Sequence, residues 1–256
     1  MELLFQKYHG AGNDFIIVDN HIQNCILTTE QIKKLCDRHL GIGADGLMIL
    51  HKSDNFSFKM QYFNSDGNEG TMCGNGGRAI SAFAFTKGLF NQQTTFEAID
   101  GIHSTKILSF EKEKWDVEIQ LNDVQEIQMK SNSWFLNTGS PHHISFVKHV
   151  LDYDVHQVGN EIRWSKEYES INGTNVNFVE ILKDGIFVRT FERGVEAETL
   201  SCGTGVTASA IAFCLLNQFT GTQKVNVYTK GGNLIVCFSI LNNKISNVLI
   251  ICQHNK

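Results

Sequence analysis

The sequence predicts a mixed α/β (α+β) protein built as two pseudo-symmetric, duplicated halves, each a mainly antiparallel sheet wrapped around one central helix. Three observations carry this. The stretch "EGTMCGNGGRAISAFAF" at 69–85 recurs as "ETLSCGTGVTASAIAF" at 198–213. Segments of strand-like apolar character lie on either side of both copies. Each copy then opens into an Ala- and Ser-dense run whose small residues permit close packing of a helix on a sheet.

With an offset of 129, Cys73 falls on Cys202, Gly74 on Gly203, Gly76 on Gly205, Ala79 on Ala208 and Glu69 on Glu198. The agreement extends upstream, where "FKMQYFN" (58–64) overlies "FVRTFER" (187–193) as a strand. "GADGLMIL" (43–50) corresponds in position to "NVNFVEIL" (175–182), and "TFEAIDG" (95–101) to "KVNVYTKGG" (224–232) after a one-residue slip. At the N-terminal end "GNDFIIV" (12–18) matches "GSPHHISFV" (139–147) more weakly. The period is too long and the copies too few for a solenoid, so a duplicated half of about 120 residues is the simplest account. The halves are expected at 1–115 and 116–245. The central helices are expected over 75–90 and 205–216. A separate amphipathic helix, "TTEQIKKLCDRH" (28–39), has a Thr28-x-x-Gln31 capping box and an apolar face of Ile32, Leu35 and Cys36, and reads as scaffold.

At 256 residues the chain is long enough to bury a sizeable core in one large domain or two ordinary ones. Its 22 basic and 27 acidic residues give a formal charge of -5 without a basic stripe, which argues against nucleic acid as a partner. The beginning "MELLFQKYHGAGNDF" lacks a basic region and a signal-like apolar run, and no later stretch approaches membrane-spanning length. A soluble cytoplasmic protein is expected. Seven cysteines, at 25, 36, 73, 202, 214, 237 and 252, form no C-x-x-C pair and no disulfide framework, so reduced thiols are expected. Cys25, Cys36, Cys214, Cys237 and Cys252 sit among apolar residues and read as buried structural thiols.

Cys73 and Cys202 differ, because each stands at the mouth of a central helix. The first N–H groups of a helix have no internal partner, and aligned peptide dipoles leave about half a positive charge there. Glycines at the second and fourth positions of C-G-x-G let a ligand carboxylate approach those N–H groups, and a thiol placed there ionises more easily. Two such boxes related by pseudo-twofold symmetry would face one ligand from opposite sides of a cleft between the halves. That arrangement suits inversion of a stereocentre: one thiolate removes a proton next to a carboxylate, and the other thiol returns one to the opposite face. The extra carbanion charge is bound better than the ground state, and each aimed N–H contributes roughly 3 kcal/mol by analogy with oxyanion-hole donors. The alternatives are two inherited space-filling cysteines or a cysteine hydrolase, which needs one nucleophile with an orienting histidine and no second cysteine.

The motifs "HGAGNDF" (9–15), "DRHLGIGADG" (37–46), "FNSDGNEGTMCGNGGR" (63–78), "SPH" (140–142), "NVNFV" (175–179) and "ERGVEAETLSCGTG" (192–205) together resemble the diaminopimelate epimerase family over nearly the whole chain. The resemblance implies a cofactor-independent, pyridoxal-phosphate-independent isomerase that interconverts L,L- and meso-diaminopimelate in lysine biosynthesis, commonly as a homodimer. It implies that Cys202 is the base and Cys73 the acid in the L,L to meso direction. Gly74, Asn75, Gly203 and Thr204 are implied to hold the reacting carboxylate and amine region. Asn13, Asn64, Asn175, Glu192 and Arg193 are implied to bind the distal amino-acid end, where an ammonium wants oxygen acceptors and a carboxylate a guanidinium fork. His142 and Glu192 align with residues that tune the cysteine pair, and the final strand 246–253 (within 246–256) returns to the first half in the family. The chain has Ser140 where many relatives have Asn, and Gly46 where some have Gln. A proline or hydroxyproline racemase of the same architecture would not need the distal set, and a catalytically silent dimeric binding protein would not need both boxes.

"GIGADG" (41–46) satisfies G-x-G-x-x-G but follows a helix and precedes a strand, the reverse of a dinucleotide turn. His142 and His143 lack a spaced third ligand, so no metal is expected. "NGT" at 172–174 would matter only in a secreted protein.

Overall fold

The computed structural model describes residues 3–70, 72, 74–124, 126–242 and 244–255, with side chains through 252. The chain divides into two compact units, Met1–Ile119 joined by Cys252–Lys256, and Gln120–Ile251. No helix is long and apolar enough to cross a membrane among the described residues.

In the first unit, β1 (Phe5–Gly10) and β2 (Asn13–Asp19) form an antiparallel hairpin, and α1 (Thr29–Cys36) crosses to β3 (Gly46–His51), which runs parallel to β2. β4 (Lys59–Asn64) pairs antiparallel with β3 and with the short β5 (Glu69–Gly70). After α2 (Gly74–Thr86), β6 (Gln93–Ala98) runs parallel to β4, and β7 (Gly101–Glu111) and β8 (Lys114–Gln120) continue antiparallel with a bulge between Ile107 and Ser109.

The second unit repeats this order. β9 (Ile127–Met129) and β10 (Trp134–Asn137) lead into β11 (Pro141–Phe146), antiparallel to β10. α3 (Val155–Arg163) crosses to β12 (Asn175–Leu182), parallel to β11, and β13 (Gly185–Glu192) pairs antiparallel with β12 and with β14 (Ala197–Thr199). After α4 (Gly203–Leu216), β15 (Gly221–Thr229) runs parallel to β13, and β16 (Gly232–Leu241) is antiparallel to β15. β17 (Lys244–Asn255) ends beside the first unit's strands: Gln253 registers with Asp116 of β8, and His9 of β1 with Asn255. The first unit's ladder therefore returns to its starting strand around α2. In the second unit Leu121 N–H donates to the Val248 carbonyl and Val124 bridges Ile245.

The sheets are mainly antiparallel, with two parallel pairs in each unit among the described residues. Strands β3 and β12 begin at Gly46 and Asn175, which keeps the 129-residue offset better than the expected pairing of 43 with 175. The central helices are surrounded rather than amphipathic: residues Gly74 through Ala84 of α2 are buried, and in α4 burial reaches all sides through Ala212, broken only at Thr204. Gly77 permits this closeness, since a Cβ there would lie 2.4 Å from Ile119 Cδ1.

The expected helix ends shift for local reasons. α1 stops at Cys36 rather than running to position 39, because Asp37 is extended and its carboxylate accepts the N–H groups of His39 and Leu40. Its capping box is complete, with Thr28 Oγ1 accepting from Gln31 N at 3.3 Å and Gln31 Oε1 from Thr28 N at 2.9 Å. α2 ends at Thr86 instead of 90, followed by left-handed Gly88 at φ +70°. Four of the five structural cysteines are buried, and burial pushes the Cys36 thiol up to about 11 and Cys214 to about 12; Cys237 on β16 is only half buried.

Candidate active site

Cys202 is the N-cap of α4, in extended conformation at φ -118°, and its carbonyl accepts the first helical bond from Val206 N at 2.9 Å. The N–H groups of Gly203, Thr204 and Gly205 precede that bond and form the positive end of the helix dipole. Cys202 is 8% exposed, so the box sits in a low-dielectric setting where such donors count for more.

Beside it, β11 and β12 supply a cluster of buried polar side chains, His142, Asn175 and Asn177. Thr204 Oγ1 lies 3.6 Å from Cys202 Sγ and 2.9 Å from His142 Nε2. Ser140 Oγ lies 2.9 Å from the same Nε2 and 3.3 Å from Thr204 Oγ1, while Thr138 Oγ1 donates to the Thr204 carbonyl at 2.9 Å. His142 is fully buried, and burial, helped by the charge of Arg193, pulls it down to about 3; it is a neutral imidazole at ordinary pH. Asn177, two residues beyond Asn175 and therefore on the same face of β12, places Nδ2 3.1 Å from His142 Nδ1 and 3.0 Å from the His143 carbonyl. Val176 and Phe178 point the other way, into a core with Val150, Val155 and Phe191.

Asn175 is buried and heavily engaged: its Nδ2 donates to the Pro141 carbonyl at 2.9 Å and to Ser140 Oγ at 3.3 Å, and its Oδ1 accepts from Arg193 N at 2.9 Å. It thus fixes the backbone from which Arg193 extends. The Arg193 guanidinium reaches the Ile171 and Gly173 carbonyls at 3.3 Å, and burial followed by the nearby Arg163 lowers its pKa. Glu192 accepts from Thr199 Oγ1 at 2.8 Å.

In the first unit, Cys73 lies outside the described residues. Gly74 and Asn75 open α2 and are buried. Asn75 receives a hydrogen bond from the buried Arg78 and donates to Asn13 Oδ1 at 3.2 Å. Asn13 Nδ2 in turn donates to Asp45 Oδ2 at 2.7 Å. Arg38 ties Asp45 to Asp14, which also accepts from Lys7 at 2.8 Å. Burial works to raise the Asp14 carboxyl, but Arg38 and Lys7 overcome it and hold it at about 2. Met72 N–H is held by Asp100 Oδ1 at 3.2 Å, an oxygen shared with His103 at 3.2 Å. Asn64 ends β4 in a turn closed by Gly67 N–H at 2.9 Å, and its side chain accepts from Tyr62 Oη at 3.0 Å. Gly46 registers opposite Asn64, and a Cβ there would meet Tyr62 at 2.6 Å, so Tyr62 occupies the space that a larger side chain would need. "GIGADG" links α1 to β3, as its order in the sequence requires, and the Gly43 carbonyl accepts from Lys7 at 2.6 Å.

The structure thus joins Asn13 with Asn75 in one unit, and Cys202, Thr204, His142, Asn175 and Arg193 through short hydrogen-bonded steps in the other. Sequence reasoning missed Asn177, Asp45, Arg38 and Asp100. Asn177 had a signal, since an Asn alternating with Asn175 interrupts the apolar run "NVNFVEIL".

The family described as diaminopimelate epimerase matches residues 5–127 and 134–248. A diaminopimelate epimerase of Flavobacterium psychrophilum is 45% identical over 246 residues, covering 95% of this chain and 94% of that protein. One of Chlorobaculum tepidum is 41% identical, covering 89% of each. A solved phenazine biosynthesis protein of the PhzF family from Bacillus anthracis superposes with a TM-score of 0.75 at 16% identity, over 100% of this chain and 96% of that one. A probable proline racemase from Agrobacterium radiobacter gives 0.69 at 14%, over 99% and 90%. These two likenesses speak to the fold alone.

Proposed function

The chain belongs to the diaminopimelate epimerase family and is an amino-acid isomerase, and from that premise we propose that it inverts the α-carbon of diaminopimelate by a two-thiol mechanism. The reaction interconverts the L,L and meso forms and serves lysine biosynthesis. The observation that carries the mechanistic reading is Cys202 at the N-cap of α4 beside the Thr204 hydroxyl, in a box that the sequence repeats at Cys73.

In the L,L to meso direction Cys202 acts as thiolate and takes the α-proton, and Cys73 gives a proton to the opposite face; the roles exchange in reverse. Gly203 and Thr204, with Gly74 and Asn75, are the residues that hold the reacting carboxylate and amine region, and charge developing on a carboxylate at a helix N-terminus meets fixed dipoles that need no reorganisation. Asn13, Asn64, Asn175, Glu192 and Arg193 recognise the distal amino-acid end, Asn175 by holding the Arg193 backbone. His142 and Glu192 tune the thiols. The mechanism calls on no metal or organic cofactor, and the reading places the enzyme in the cytoplasm as a homodimer.

The test is to incubate reduced protein with L,L-diaminopimelate without added cofactor and to separate the stereoisomers. Formation of the meso isomer, with L-proline left unchanged under the same conditions, is expected. Racemisation of proline alone would overturn the substrate, and inertness toward both would overturn the activity.

A further inference from the structure

We infer that Asn177 is a positioning residue that fixes the proton of His142 on Nε2 and so directs the Thr204 hydroxyl toward Cys202 Sγ. The inference rests on reading Cys202 as a catalytic base, and it follows from the bookkeeping of donors and acceptors around one imidazole.

The hydrogen bonds on its two sides fix the orientation of the Asn177 amide. The atom 3.0 Å from the His143 carbonyl must be the nitrogen, because a carbonyl only accepts, and the Oδ1 on the other side accepts from Thr190 Oγ1 at 2.9 Å. The second hydrogen of that nitrogen points at His142 Nδ1, 3.1 Å away, which makes Nδ1 the acceptor. A neutral imidazole that accepts at Nδ1 carries its proton at Nε2.

Nε2–H then faces two hydroxyl oxygens, Ser140 Oγ and Thr204 Oγ1, each at 2.9 Å. Neither hydroxyl can spend its own proton on the ring. Ser140 Oγ also accepts from Asn175 Nδ2, so its proton turns to Thr204 Oγ1 at 3.3 Å, and the Thr204 proton is left for Cys202 Sγ at 3.6 Å. A hydroxyl that donates to sulfur favours the thiolate over the thiol. The other tautomer would present a bare Nε2 and draw a hydroxyl proton away from the sulfur.

Charge reaches His142 from Arg193, which opposes the imidazolium. Among the described residues, α4 contributes the titratable Cys202, β12 the uncharged Asn175 and Asn177, and the segment after β10 Thr138 and Ser140. α4 is seated directly on the amide: a Cβ at Gly205 would lie 2.4 Å from Asn177 Oδ1 and 3.3 Å from His142 Cε1.

The experiment is nitrogen-15 NMR of the reduced wild-type protein labelled in its histidine rings, with His142 assigned by its loss in His142→Gln. A neutral ring protonated at Nε2 from pH 6 to 9 is expected; a proton on Nδ1, or an imidazolium, overturns the inference. A second measurement follows iodoacetamide alkylation of Cys202 against pH in a Cys73→Ala background, reading the Cys202 peptide by mass spectrometry. Asn177→Leu, folded by circular dichroism, is expected to move the alkylation midpoint up by about one pH unit, and in the two-cysteine protein to lower kcat about 10- to 100-fold with a smaller change in KM. An unchanged midpoint in folded Asn177→Leu overturns the inference, and if that variant does not fold the wild-type tautomer still decides. Neither the ring tautomer nor the alkylation midpoint requires turnover. A failure of epimerisation with both as expected would therefore count against the proposed function and not against the role of Asn177.

Discussion

Asn177 and His142, 35 positions apart, meet at 3.1 Å across the parallel pair β11 and β12, amide nitrogen to ring nitrogen, under the first turn of α4. The contact shows how the site is made: the strands that surround the helix carry, on their inward face, the polar groups that serve its N-terminus.

The buried histidines set an acid limit on stability. His142 is held at about 3, and His143, bonded to Tyr168 and Ser145, at about 4, both chiefly by burial. Their folded values lie below the ordinary 6.5, so the unfolded chain binds more protons in between. Stability is complete above pH about 6.5 and is lost as pH falls toward 4 and then 3. Urea unfolding at pH 7.5 and 4.5 should show this loss, and His143→Gln should remove up to about 3 kcal/mol of it.

Gly205→Ala should destabilise by about 1–3 kcal/mol, because its methyl group meets Asn177 Oδ1 at 2.4 Å in a packed interior. Thermal unfolding checks this. A normal melting temperature would mean that α4 can shift away from β12 without cost.

Thr28→Ala removes one arm of the capping box on α1 and should cost about 1 kcal/mol of stability while leaving turnover unchanged. Denaturant titration together with a rate measurement separates the two effects.

Asp45→Ala breaks the acceptor of Asn13 Nδ2 and the anchor of Arg38. With Asn13 in the distal binding set, KM for diaminopimelate should rise about tenfold with little change in kcat. Steady-state kinetics that show the loss in kcat instead would place Asn13 nearer the reacting carbon.

The duplicated architecture and the place of Cys202 at the start of α4 were legible because they rest on local pattern: glycines, small helical residues and a repeat at a fixed offset. What escaped depends on tertiary contact. α3 carries Gly159 in mid-helix, which lowers any helix reading of "VHQVGNEIR", and the glycine is explained only by Phe191, whose Cβ would lie 2.5 Å from an added methyl. Asn175 reads in sequence as a ligand for substrate, yet its amide is spent on Ser140, Pro141 and Arg193, partners from two distant segments that no spacing brings together. The Lys7, Asp14, Arg38 and Asp45 network is likewise drawn from β1, β2 and the segment between α1 and β3, and appears only when the chain is folded.

The measurement that bears most directly on the two-thiol account is proton NMR of L,L-diaminopimelate turnover in heavy water, read at early times with reduced protein and no cofactor. Two thiols acting from opposite faces predict meso product carrying solvent deuterium at the inverted carbon while the remaining L,L substrate keeps its hydrogen, and loss of product formation in Cys73→Ala and in Cys202→Ala. Product that retains the substrate hydrogen, or a single-cysteine variant that epimerises at the wild-type rate, would contradict it.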